Sequence, residues 1–191
     1  MKKTDKKKIK IYYAPEALWK IIKLVLAHDK EIGWNMVVKP YEDGYKIYDV
    51  FVYPQAVTGG TVEVDEGRYS LWKDALADKY PDAEANLFGQ GHSHVNFGVL
   101  ASARDEEQQK DEIEQKGSGF YLFQIWNKRF EIATYFYDLD NHILYEKEDI
   151  DLRAEEDQFI QNSRKMLSEK VIPIKSVKEG KEYKEVVNGL I

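Results

Sequence analysis

The apolar positions in the first half of the chain switch between a period of two and a helical period, which predicts strands and helices in alternation. A strand over residues 9–13 precedes a helix over residues 14–30, in which proline stands at a helix-start position. A buried stripe of this helix is expected at Leu18, Ile21, Ile22, Val25 and Leu26. Two strands within residues 31–55 then flank a turn at residues 40–44, followed by a strand over 61–65 and a helix over 67–79.

The second half continues the alternation. A strand is predicted at residues 86–94, and a helix begins at Ser102 and ends at the glycine-rich break of residues 117–119. Residues 120–126 and 129–138 form a predicted hairpin across Asn127 and Lys128. A last helix is predicted over residues 151–171, with apolar positions at Phe159, Ile160, Met166 and Leu167. These elements indicate a mixed α/β fold with a C-terminal helical extension.

Composition is typical of a globular protein with one main domain. The chain has 191 residues, 43% of them hydrophobic and 32% charged, which is enough apolar material for a core. The net charge of −6 argues against broad nucleic-acid binding. Six lysines fall in residues 1–10, and we interpret this segment as a solvated basic arm. The main domain is expected over residues 11–138 and the extension over 139–191.

Segments that would place the protein in or across a membrane are not evident. No stretch approaches the roughly 20 apolar residues of a membrane span, and no apolar stretch follows the lysines as in a secretory signal. Cysteine is absent, which excludes disulfides and thiolate metal ligands and is compatible with a reducing compartment. We therefore expect a cytoplasmic protein with no membrane partner.

Candidate chemistry is concentrated in residues 91–105, GHSHVNFGVLASARD. His92 and His94 are two positions apart on a predicted strand, so both imidazoles project from the same face. Asp105, on the next element, can complete a set of two nitrogen ligands and one oxygen ligand. Zn²⁺ accepts such a set and keeps a fourth position for water, as in catalytic zinc sites.

Each part of this motif also has a purely structural interpretation. Isolated surface histidines usually bind nothing, and Ser102 with Asp105 has the spacing of a capping box at a helix start. The two histidines, the serine and the aspartate occur together at these positions by chance much more rarely than the histidine pair alone or the Ser–Asp pair alone. The two interpretations are compatible, because a capping carboxylate needs only one oxygen for the metal. His28 and His142 lack ligand-like spacing and are expected at the surface.

The complete pattern of His92, His94, Ser102 and Asp105 resembles the signature of the JAMM (MPN+) zinc metalloproteases. The resemblance implies that the two histidines and the aspartate bind zinc, that Ser102 stabilises an oxyanion, and that an upstream glutamate is the general base. Glu31 best matches that glutamate, because the other upstream candidates lie inside a helix, in a turn or in a later segment. The implied fold is the cytidine-deaminase-like MPN fold, a curved, mostly antiparallel sheet flanked by helices.

This resemblance extends over about residues 9–138 and is greatest to the prokaryotic and phage branch of the family. It implies a zinc-dependent hydrolase of peptide or isopeptide bonds, with protein or peptide substrates that include ubiquitin-like proteins. Two alternatives remain open. A catalytically silent MPN-type binding or scaffold module is one, and a domain that zinc merely stabilises is the other. The sequence gives no prediction of oligomeric state.

Overall fold

The computed structural model of the chain describes residues 8–57 and 62–155, together with Arg164, Lys165 and Ser168. Within residues 8–57 and 62–155 there are four α-helices, which are α1 (Pro15–Ala27), α2 (Glu66–Lys79), α3 (Pro81–Glu84) and α4 (Ala103–Lys116), and a short 3-10 helix at Lys147–Asp149. The strands are β1 (Ile9–Tyr13), β2 (Gly33–Tyr41), β3 (Gly44–Phe51), β4 (Gln55–Val57), β5 (Val62–Val64), β6 (Leu87–Ser93), β7 (Phe120–Trp126), β8 (Ile132–Asp138), β9 (Ile143–Glu146) and β10 (Ile150–Ala154).

Eight strands form one curved, nearly closed sheet in the order β10-β1-β3-β2-β6-β7-β8-β9, and β4 pairs with β5 in a small separate sheet. Most neighbours in the large sheet are antiparallel, whereas β1 is parallel to β3 and β10, and β6 is parallel to β7. The curvature is evident from Tyr45 on β3, whose ring centroid lies 4.5 Å from that of Phe136 on β8 although three strands separate them in the order.

Helices pack on both faces of this sheet. On one face, Trp34 and Met36 of β2 are fully buried in a core that also contains Ile21 of α1. Alternate residues of β2 and β6 point to the other face, where Asn35 donates a hydrogen bond to Tyr69 of α2. On that same face Gln90 of β6 donates a hydrogen bond to Glu112 of α4 at 2.8 Å. The central strands β2 and β6 therefore lie between α1 on one side and α2 with α4 on the other.

Most predicted elements are confirmed, with local corrections at their ends. The first helix ends at Ala27 and not at residue 30, and its buried line is Ala17, Ile21 and Val25. Leu26, predicted to be buried, is 52% exposed because it lies in the last turn, away from this i, i+4 line. Pro40 belongs to β2, so the turn predicted at residues 40–44 is shorter.

The predicted C-terminal helix is wrong at its start. Residues 151–154 belong to β10, which pairs in parallel with β1, with Ile150 opposite Ile9. Glu155 is described and is not helical, whereas Arg164, Lys165 and Ser168 are helical. The remaining residues of that prediction, including the apolar positions at 159, 160, 166 and 167, lie outside the described residues. The first seven residues of the predicted basic arm also lie outside them.

Chain contacts divide the protein into one compact unit up to Glu155 and a second from Glu156 onward. Strands β9 and β10, which fall in the predicted extension, thus belong to the large sheet. Among the described residues, none of the helices has the length and apolar character needed to cross a bilayer.

Candidate metal centre

The two motif histidines lie at the end of β6, as the spacing predicts. His92 is opposite Gly33 of β2 on one side and Ile125 of β7 on the other. His94 follows the last strand residue, and its backbone N–H donates to the Trp126 carbonyl at 2.7 Å. The two rings share a face, with centroids 4.8 Å apart. The strand periodicity thus places both imidazoles at the same edge of the sheet.

Asp105 reaches the histidines from the first turn of α4. The capping box predicted from the sequence is present, because the Ser102 hydroxyl accepts from the Asp105 N–H at 3.3 Å and Asp105 Oδ2 accepts from the Ser102 N–H at 2.7 Å. The same carboxylate lies 3.2 Å from His92 Nε2 through Oδ1 and 3.4 Å from His94 Nε2 through Oδ2. The helix cap therefore fixes the carboxylate against both rings.

Electrostatic interactions within the cluster favour an ionised aspartate. Burial opposes ionisation of Asp105, but the close approach of the His92 and His94 imidazoles, aided by the hydrogen bonding with Ser102, holds its pKa well below the usual range. Burial also disfavours a charged His94, yet Asp105 and the Gly98 carbonyl outweigh it and raise the pKa of this imidazole. The carboxylate is therefore negatively charged at neutral pH and can bind a cation.

The ring nitrogens that face Asp105 are available to a metal. His94 Nδ1 lies 2.7 Å from the Gly98 carbonyl oxygen, which can only accept, so Nδ1 carries the proton and Nε2 of the neutral ring does not. His92 Nε2 is shielded from solvent and makes no hydrogen bond of acceptable geometry to any described residue. Among those residues, His92, His94 and Asp105 form a group whose candidate ligand atoms all lie within 4.8 Å of one another.

Glu31 joins this cluster through strand pairing. The Ser93 N–H donates to the Ile32 carbonyl at 2.9 Å, and the Ile32 N–H donates to the Ser93 hydroxyl at 3.4 Å. Continuing the register of Gly33 opposite His92 places Glu31 opposite His94 on the same face of the sheet. The side chain is 8% exposed; burial raises the pKa of Glu31, although His94 and His92 act to lower it.

One cavity of about 340 Å³ connects these groups. Its lining includes all five residues that the sequence analysis singled out: Glu31, His92, His94, Ser102 and Asp105. Ser102 is exposed, and because its oxygen accepts from the helix, its hydroxyl hydrogen is free to point into the cavity. The predicted residues are therefore brought together around a space that can admit a substrate.

Several site groups carry no sequence signal. The Gly98 carbonyl is a backbone atom, and Tyr53 enters the lining from the segment after β3 by packing over Gly33. Phe97 and Leu100, 64% and 83% exposed, form an apolar part of the lining within the motif itself. Phe97 and Leu100 are the exception, because apolar residues in a loop between two motif positions could have been recognised in the sequence. His28 and His142 are exposed and lie outside the lining, as expected.

Comparison of the chain with protein-family models gives no match, and comparison with curated proteins gives none either.

Proposed function

We propose that this protein is a zinc-dependent metallohydrolase of the JAMM type that cleaves a peptide or isopeptide bond. The observation that carries the proposal is the presence of a buried glutamate, Glu31, in the same cavity as His92, His94 and Asp105. A metal-stabilised structural site has no need of such a carboxylate beside its ligands. The curved mixed sheet between helices agrees with the MPN-type fold that the resemblance implies.

The ligand atoms suit zinc in type and spacing. Two imidazole nitrogens and one carboxylate oxygen are a common catalytic zinc set. Bonds of about 2.0–2.1 Å in tetrahedral geometry give ligand–ligand distances of about 3.3 Å. His92 Nε2 lies 3.2 Å from Asp105 Oδ1, the oxygen that does not accept from the Ser102 N–H, and this separation agrees with that value. The shielded His92 Nε2, without a hydrogen-bond partner among the described residues, also favours a bound cation.

Glu31 has the properties of a proton carrier. When bound, zinc supplies a Lewis acid that makes water a nucleophile near neutral pH. Glu31 accepts the proton of the attacking water and returns it to the leaving amine. Burial raises the pKa of its carboxyl, so Glu31 holds the proton more readily until the leaving amine takes it. Tyr53, 5% exposed, helps to keep bulk water from this side of the cavity.

Ser102 stabilises the negative charge that develops on the substrate carbonyl oxygen. Its hydroxyl hydrogen is not committed to the helix cap, since the Oγ atom acts there only as an acceptor. A donor held at a helix start is fixed before the reaction, which is the condition for effective oxyanion stabilisation. The cap and the oxyanion contact thus use different parts of one hydroxyl group.

The test compares Glu31→Gln with Glu16→Gln, an exposed glutamate on α1 that serves as the control. We expect wild type and both variants to bind about one zinc per chain by elemental analysis, and His92→Ala to lose it. Hydrolysis of di-ubiquitin or of a quenched-fluorescence peptide library should fall about 10²–10⁴-fold in Glu31→Gln only. Undiminished turnover in Glu31→Gln, or wild-type protein that takes up no zinc, contradicts the proposal.

A further inference from the structure

The turn between β7 and β8, residues 127–131, lies against the loop that follows the metal motif. Three hydrogen bonds join them. The Lys128 N–H donates to the Val95 carbonyl at 2.7 Å, the Arg129 guanidinium to the Asn96 carbonyl at 3.2 Å, and Asn127 Nδ2 to the Phe97 carbonyl at 2.9 Å. Three successive loop carbonyls therefore accept from one turn.

Asn127 is at the centre of this contact and is fully buried. Its Oδ1 accepts from the backbone N–H groups of Arg129 and Glu131 at 3.0 and 3.1 Å, which closes the turn. One Nδ2 hydrogen is donated to the Glu131 carboxylate at 2.5 Å and the other to Phe97. Of these four bonds only the last leaves the turn, so a single donor hydrogen connects Asn127 to the loop.

The loop has a strained conformation that the turn maintains. Val95 has a φ of +49°, which is unfavourable for a β-branched residue, and it is 6% exposed. Such a conformation persists only when neighbouring contacts fix it. The backbone turns back at this point, because the Phe97 N–H donates to the His94 carbonyl at 2.8 Å. This path brings the Gly98 carbonyl to His94 Nδ1.

We propose that Asn127 is a positioning residue for the metal centre. By holding the Phe97 carbonyl, it fixes the next residue, Gly98, whose own carbonyl holds the proton of His94 on Nδ1. The neutral ring then presents an unprotonated Nε2 toward Asp105 before any metal arrives. The consequence for metal binding rests on the proposed function; the effect on the His94 tautomer does not.

The matched pair of variants is Glu131→Gln and the double variant Asn127→Asp with Glu131→Gln. In the single variant, Asn127 keeps both donors and can bond the new amide oxygen. In the double variant, the glutamine side chain at position 131 donates and the aspartate at position 127 accepts, so the hydrogen bond between these two side chains is kept with its direction reversed. The aspartate can still accept from the backbone N–H groups of residues 129 and 131, but it has no hydrogen to donate to the Phe97 carbonyl. The two variants therefore differ in the hydrogen bond from residue 127 to the Phe97 carbonyl, which is one of the three that join turn and loop.

The first readout is the tautomer of His94 in metal-free protein, measured by long-range ¹H–¹⁵N correlation at a pH where the imidazole is neutral. We expect one tautomer, with the proton on Nδ1, in wild type and Glu131→Gln, and a mixture in the double variant. The second readout is zinc affinity by chelator competition, which should fall about tenfold in the double variant, the lower end for loss of an outer-shell contact.

A His94 tautomer identical in the single and double variants overturns the proposal, whatever the hydrolytic activity. If the double variant does not fold, wild-type protein decides the question. The Asn127 carboxamide protons and the His94 Nδ1 proton must then exchange slowly with solvent, and rapid exchange of either overturns it. Because the tautomer and proton-exchange measurements need neither metal nor substrate, they are independent of the Glu31→Gln test of hydrolysis.

Discussion

Replacing Ser102 by alanine separates the two roles assigned to its hydroxyl. The substitution removes the 3.3 Å bond from the Asp105 N–H and leaves the 2.7 Å bond from the Ser102 N–H to Asp105 intact. Loss of an N-cap side chain costs about 0.5–2 kcal/mol. Since this bond is long and Ser102 is exposed, we expect a loss of about 0.5–1 kcal/mol in unfolding free energy.

The catalytic effect should be much larger than the structural one. Removing one oxyanion donor lowers turnover about 10²–10³-fold, equivalent to about 2.7–4 kcal/mol. A stability loss of about 1 kcal/mol leaves nearly all molecules folded and cannot account for such a fall. Ser102→Asn and Ser102→Asp refine the comparison, because both side chains cap helices well but only asparagine can donate a hydrogen bond.

Urea unfolding measures the cap, and kcat/KM at constant zinc content measures the oxyanion contact. We expect both capping variants to match wild type in unfolding free energy, with Ser102→Asn retaining more activity than Ser102→Asp. If Ser102→Ala keeps turnover within a few-fold of wild type, the hydroxyl serves only as a helix cap and the oxyanion role is wrong.

Three further predictions follow from packing, metal removal and burial. Gly33→Ala should lower the unfolding free energy by about 1–3 kcal/mol in urea unfolding, since a Cβ there would lie 2.1 Å from the Tyr53 hydroxyl oxygen. Gly98→Ala is the control: a Cβ at that position would have no neighbouring atom within 4 Å, so the unfolding free energy should change little. A chelator should abolish activity and lower the Tm while far-UV circular dichroism at 25 °C stays the same, whereas unfolding on chelation would favour the metal-stabilised domain. Burial raises the pKa of Tyr13 in the folded protein above its unfolded value of about 10. The neutral phenol therefore contributes its full stabilisation below about pH 10, and this contribution is lost as the pH rises from there toward the folded-state pKa. We expect the unfolding free energy to fall above about pH 10, and to fall less steeply in Tyr13→Phe.

The parts of the molecule that the sequence predicts well are those governed by local spacing. Strand alternation is enough to place His92 and His94 on one face, and the Ser102–Asp105 spacing is enough to predict the capping box. The buried stripe of α1 was predicted less well. The sequence alone does not distinguish a narrow i, i+4 line of buried residues from a wider stripe, because the width depends on what packs against the helix.

Pairings between distant segments were not predictable in this way. β10 is a strand because β1 lies beside it, and nothing in residues 151–154 themselves opposes a helix. The Gly98 carbonyl and Asn127 contribute through backbone path and hydrogen bonding, which have no residue-type pattern. Asn127 appeared in the sequence only as a turn residue, since its donor to Phe97 depends on where two loops meet.

The pairing of β2 with β6 has a consequence for how this site can vary. Ile32 and Ser93 are 61 positions apart in the chain, yet hydrogen bonds between them set the distance from Glu31 to the histidines. The intervening segment can lengthen or shorten without moving the base, provided that the two strands still pair. The interval between His94 and Asp105 has no such freedom, because one short loop must deliver α4 to the rings. Insertions should therefore be tolerated in the first interval and should disable the site in the second.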